Sequence, residues 1–208
     1  DITVIYHATN DLSWETRDLA RQQGIYGEQE NQRPSWLAEH SQLWHLVVKN
    51  LYIRAVQNDA SKASERLDFV PSELGSHFRK QLTQLVMQAK QVSEVVALVT
   101  FSHQIRAEQT AEQQLKAAAS ALYYMPFMEP RSLIEAFQRY NQIIAEVASD
   151  TGALLISGDE IIPGTSEYFN DTVHFKDAGS RIMARRVSQA LLNDPGLKLS
   201  AVGITRDN

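Results

Sequence analysis

Apolar residues fall into two kinds of run along the chain. Short uninterrupted runs rich in β-branched residues occur at Ile2–Tyr6, Val95–Phe101 and Ala153–Ile156. That is the pattern of buried strands. Between them lie one-sided stripes at helical spacing. One runs from Trp36 to Val56, another from Pro71-Ser72 to about Lys90 with Leu74, Phe78, Leu82, Leu85, Val86 and Ala89 on one face. Two more cover Leu133–Val147 and Ala178–Leu192. Ala107–Ala121 is rich in Ala, Gln and Glu and reads as a helix, followed by an apolar connection, 123–128, that Pro126 breaks. His7-Ala-Thr-Asn-Asp11 suits a turn, and 24–33 and 58–65 read as polar loops.

Buried strands alternating with amphipathic helices predict an α/β domain, a parallel sheet covered on both faces. The 208 residues suffice for one such domain, residues 1–208. Composition narrows the function classes. A net charge of −5 provides no basic footprint for nucleic acid. Cysteine is absent, which excludes disulfides and thiol catalysis within the chain. No apolar run approaches the ~20 residues of a membrane span. The chain opens directly on its first strand, so residue 1 reads as a cut, with the domain N-terminally incomplete.

In open α/β sheets, functional groups collect beyond the carboxyl ends of the strands. Three loops qualify: Ala8-Thr-Asn10-Asp11, Ser102-His103, and the stretch from Gly164 to Gly179 that contains Asp171-Thr-Val-His174. An imidazole acting as general base needs a carboxylate on its Nδ1–H, which Asp171 can supply to His174 across a turn. Asn10 can donate its amide to a developing oxyanion. Local structure offers a second explanation of each: Asp171 satisfying backbone donors, and Asn10-Asp11 making a turn and capping a helix.

Taken together and in this order, the residues resemble the SGNH (GDSL-type) serine hydrolases. Ile5-Tyr-His-Ala-Thr-Asn-Asp11 is similar to the family's third sequence block, and Asn170-Asp-Thr-Val-His-Phe-Lys-Asp-Ala-Gly-Ser180 to its last. The helix bearing Tyr140-Asn141 lies between them, as in the family. The resemblance implies a three-layer α/β/α, flavodoxin-like parallel sheet, here missing its first strands. It implies hydrolysis of an acyl ester of a small molecule, glycan or lipid. His174 would be base and then acid, Asp171 would orient it, and Asn10 would sit in the oxyanion hole. No cofactor or metal is implied, and the compartment stays open, with the family leaning extracytoplasmic.

Two departures matter. The family's Gly-Asp-Ser nucleophile block is expected upstream of Asp1, and Ser157-Gly-Asp159 matches it only in shuffled letters. Ala8 stands where the third block usually has glycine. By itself the chain is therefore expected to be inactive, and a non-catalytic SGNH-like binding or assembly domain is the rival reading. A flavodoxin-like cofactor binder would want a phosphate-cradling loop, and none is evident. His103 is expected to be structural, as are Trp14, Trp36, Trp44 and the aromatic and Met residues of 123–128. His40 and His45 are poorly spaced for a metal.

Overall fold

The computed structural model describes residues 1–25 and 66–194. The helix expected over 36–56, with Trp36, His40, Trp44 and His45, lies outside them. Three strands, β1 (Ile2–Ile5), β2 (Val95–Val99) and β3 (Leu154–Ile156), pair in parallel in the order β1-β2-β3. The described helices are α1 (Thr9–Gln22), α2 (Ser76–Ala89), α3 (Ala111–Tyr124), α4 (Pro130–Thr151) and α5 (Asp177–Asn193).

Successive side chains of a strand point to opposite faces, and β2 is buried on both. Val96 and Leu98 face the larger core, with Leu12 of α1, Phe78 and Leu82 of α2, and Phe137 and Ile144 of α4. Ala97 and Val99 face a smaller cluster with Ile156 and, from α5, Met183, Val187 and Leu191. The chain is thus an α/β protein whose central strand is covered on both sides. β1 departs from the sequence expectation of full burial. Ile5 packs against the larger core, but Ile2 and Val4 are 46% and 42% exposed. They lie on the face where α5 covers β2 and β3 and no described helix covers β1.

Element boundaries shift for identifiable reasons. The helix expected from Ser72 is instead a single 3₁₀ turn, Pro71–Glu73, and α2 begins only at Ser76. Gly75 separates the two at φ +85°, and its N–H donates to both carboxylate oxygens of Glu15 at 2.9 Å. That left-handed φ favours glycine, and a Cβ there would lie 2.1 Å from Ile143 Cδ1, so the isoleucine would also have to move. Thr110 and Gln113 form a capping box that starts α3 four residues after Ala107. The helix also takes in Tyr123 and Tyr124, read from sequence as part of a connection.

Beyond Val99 the central strand has lost its regular ladder, yet the backbone of the next three residues is fully partnered. Thr100 N–H donates to Ile156 O at 3.0 Å, and its carbonyl accepts from Arg186 Nη2 at 2.8 Å. Asn141 takes both groups of Phe101, accepting from its N–H at 2.6 Å and donating to its carbonyl at 3.0 Å. The Tyr6 hydroxyl does the same for Ser102, at 3.1 and 3.4 Å. Burial pushes the Tyr6 phenol up to about 12, so it keeps the proton that the second bond requires. Three side chains from three elements thereby replace a missing ladder.

Asn141→Ala leaves both backbone groups of Phe101 buried without partners. Each such group costs about 1–3 kcal/mol, so urea denaturation should register a loss of about 2–6 kcal/mol. Arg131→Gln, at an exposed ion pair on the same helix, is the reference and should stay within about 0.5 kcal/mol of wild type. Equal midpoints for the two variants would refute this account of the strand end.

Candidate active site

Asp171 and His174 occupy the tip of a short hairpin. Phe169 and Phe175 form an antiparallel bridge, and two backbone bonds of 2.8 Å flank it, Asn170 N–H to His174 O and Lys176 N–H to Tyr168 O. Asp171 organises the tip. Its Oδ1 accepts from the N–H groups of Val173 and His174, both at 3.0 Å. The His174 ring closes onto the same carboxylate, with Nδ1 2.9 Å from each oxygen. Asp171 thus makes the contacts that each of its sequence explanations requires. It satisfies local backbone donors and it holds the imidazole. With Nδ1 carrying the proton, Nε2 of a neutral ring is the acceptor.

The Asp171 carboxyl is half-buried. Burial works to raise it, but the Val173 and His174 N–H groups, with the His174 ring, outweigh burial and hold it below the usual carboxylate range. The imidazole is open to solvent, its side chain 76% exposed against 23% for Asp171. A half-buried carboxylate beneath an exposed ring fixes the ring without removing it from solvent.

Thr172 anchors the tip from below, a role that sequence reasoning missed. Its hydroxyl donates to Ala117 O at 2.7 Å and accepts from Ser120 Oγ at 2.8 Å and Ala121 N–H at 3.2 Å. Its own N–H donates to Ser120 Oγ at 3.0 Å, and its carbonyl accepts from Gln104 N–H at 2.8 Å. The hairpin base is fixed by Gly179 in the first turn of α5, where a Cβ would come within 2.4 Å of Tyr168 O. That contact is the reason for a residue without a side chain in Ala178-Gly-Ser180.

Asn10 lies in the first turn of α1, because the helix starts at Thr9 where the sequence suggests a turn. Neither Asn10 nor Asp11 is its N-cap. That position is Ala8, at φ −166°, extended backbone that alanine adopts freely. The Ala8 methyl is fully buried in the larger core. Asp11 is engaged by His7 one turn earlier, while Asn10 makes no side-chain hydrogen bond to a described residue.

Asn10, Asp171 and His174 line one cavity of about 330 Å³, at the small end of the range for ligand sites. One wall is a face of α1 made by Asn10, Ser13, Trp14 and Arg17, and Tyr124 of α3 stands on another side. Trp14 and Tyr124, read from sequence as packing residues, are exposed and line the cavity, whereas Phe127 and Met128 belong to the core. Arg17 lies over the Trp14 ring, 5.5 Å from its centroid, and its Nε is buried without a partner among the described residues. The Asn10-x-x-Ser13-Trp14-x-x-Arg17 spacing marks one helix face, a signal available in the sequence once the helix start is known.

The other loops do not join this cavity. Ser102 is fully buried against Arg186 Nη1 at 3.2 Å. Ser157 follows β3, and its carbonyl accepts from Arg186 Nε at 2.9 Å. His103 is buried and stacked on Phe137, with ring centroids 4.6 Å apart. Burial, and then the charge of Arg106, bring its pKa down to about 3.

His103 predicts an acid-sensitive fold. In the unfolded chain a histidine binds its proton near pH 6.5, but this ring does so only near 3. Protonation thus favours unfolding, and stability falls as pH drops below about 6.5. Between pH 7 and 5 the loss attributable to His103 is on the order of 2 kcal/mol. Urea denaturation across that interval should show His103→Gln with a flatter pH dependence than wild type, and parallel curves would refute the assignment.

Compared with family models, with curated proteins and with solved structures, the chain gives no match.

Proposed function

We propose that this chain carries the acid–base and oxyanion half of an SGNH-type acyl-ester hydrolase with a three-layer, flavodoxin-like architecture. The observation that carries the reading is the Asp171 carboxylate against His174 Nδ1, in a cavity that Asn10 also lines. The nucleophilic serine comes from a Gly-Asp-Ser segment preceding Asp1. Ser120, although on the cavity wall, has its hydroxyl committed to Thr172.

In this reading the serine Oγ attacks the ester carbonyl while its proton passes to His174 Nε2. The carbonyl oxygen becomes an oxyanion that accepts from the Asn10 amide. Asp171 stabilises the imidazolium, which then protonates the leaving alkoxide and leaves an acyl-serine. Water, deprotonated by the same imidazole, releases the acid and restores the serine. Of the groups these steps invoke, Asn10, Asp171 and His174 line the cavity, and the serine is supplied from upstream.

The test is hydrolysis of an aryl ester panel, with fluorophosphonate labelling, by the protein extended upstream through a Gly-Asp-Ser segment. We expect His174→Ala to abolish turnover with the fold intact. Asn10→Ala should slow it by the ~10²–10³ of a lost oxyanion donor. An extended wild type that is inert and unlabelled would favour the non-catalytic domain. Labelling of the 208-residue chain that is lost in Ser13→Ala would move the nucleophile onto α1.

A further inference from the structure

Most of the well-placed cations in the described residues are already spent. Arg106 and Arg186 donate to backbone carbonyls, and Arg79 and Arg139 pair with Glu146. Arg17 differs. It lines the cavity, has no carboxylate partner among the described residues, and holds one N–H donor buried and unmet. Among the described residues the one acidic side chain lining the cavity is Asp171, whose oxygens are engaged by Val173 and His174.

We propose that Arg17 is the recognition point for a carboxylate, so that the substrate is an ester bearing a carboxylate within about one sugar ring, or a short acyl chain, of the scissile carbonyl. This rests on the reading of the cavity as an ester-hydrolysing site. The geometry of α1 sets the spacing. Asn10 and Arg17 are seven residues apart on one helix face, about 10 Å along the axis at ~1.5 Å per residue. Arginine side chains on helices lean towards the N-terminus, and the guanidinium over Trp14 shows that lean. It therefore sits one turn nearer to Asn10 than its own backbone does.

Arg17 is partly exposed beside the indole with its Nε covered, so a planar acceptor in the cavity meets the Nη1–Nη2 edge of the guanidinium. A carboxylate matches that edge with two parallel charge-assisted bonds. A neutral ester offers this cation no matching charge, so charge sets the preference.

Binding to the 208-residue chain tests this without catalysis. The probes are monomethyl succinate, with its carboxylate on the acyl side, and methyl glucuronide, with its carboxylate on the alcohol side. Methyl butyrate and methyl glucoside are their neutral counterparts. The readout is titration of the Trp14 indole N–H resonance. We expect at least one carboxylate probe to bind about tenfold or more tighter than its neutral counterpart. Arg17→Gln should erase that preference, Arg17→Lys should keep part of it, and Arg131→Gln should keep it all. Whichever carboxylate probe binds identifies the side of the ester that carries the charge. Equal binding of charged and neutral probes, no binding by either carboxylate, or a preference that survives Arg17→Gln would each overturn the inference. An extended protein that is inert yet keeps the Arg17-dependent preference would sink the hydrolase reading alone. An active one that ignores substrate charge in both wild type and Arg17→Gln would sink the carboxylate alone.

Discussion

The carboxyl end of β2 is where this fold meets its hardest constraint. A strand running out of a short parallel sheet must still satisfy every buried N–H and C=O it carries. Here the sheet supplies partners only as far as Thr100 N–H, and side chains from Tyr6, Asn141 and Arg186 supply the next five groups. Each donor comes from a different element. The end of β1, helix α4 and helix α5 therefore have fixed positions relative to the central strand. Apolar packing alone would let those helices slide, because dispersion and burial are not directional. The polar contacts make the arrangement singular.

The candidate site is built the same way, one layer outward. Thr172 ties the hairpin tip to α3 through Ala117, Ser120 and Ala121, and its carbonyl takes Gln104 N–H. The chain segment that leaves β2 thus also holds the tip that carries Asp171 and His174. On the opposite wall, Glu15 joins α1 to Gly75 and to the Tyr140 hydroxyl of α4. The helix that presents Asn10 and Arg17 is in that way referenced to the helix that presents Asn141. Two walls of the cavity are positioned by separate networks that both lead back to the end of β2.

The alternation of strands and helices was legible in the sequence because it is written in periodicity, which packing against a two-faced sheet enforces. The boundaries were less so. Nothing local says that Ile143 will crowd Gly75, so the start of α2 could not be read from Pro71-Ser72. Thr110-x-x-Gln113 is a local signal and does fix α3. Among site residues, Asp171 and His174 were visible as a spaced pair, and Asn10 as a polar residue past a strand. Thr172, Ser120 and Arg186 were invisible, because a threonine, a serine or an arginine becomes structural only through partners more than fifty positions away, or nearly thirty in the case of Ser157. Trp14 read as packing for lack of a way to see that its helix face looks outward.

Two histidines show why spacing and position alone do not decide chemistry. His103 and His174 both follow strands at the same edge of the sheet, and both sit beside polar residues in the sequence. His103 is sealed against Phe137 with Arg106 close by, so both its surroundings and its nearest charge oppose protonation. A ring that stays neutral to about pH 3 cannot take and return a proton near neutrality. His174 has the opposite surroundings, a carboxylate on Nδ1 and solvent around the rest of the ring. The two imidazoles are separated by the sign of the nearest charge together with access to water, and for His174 both are set by the hairpin that Thr172 holds in place.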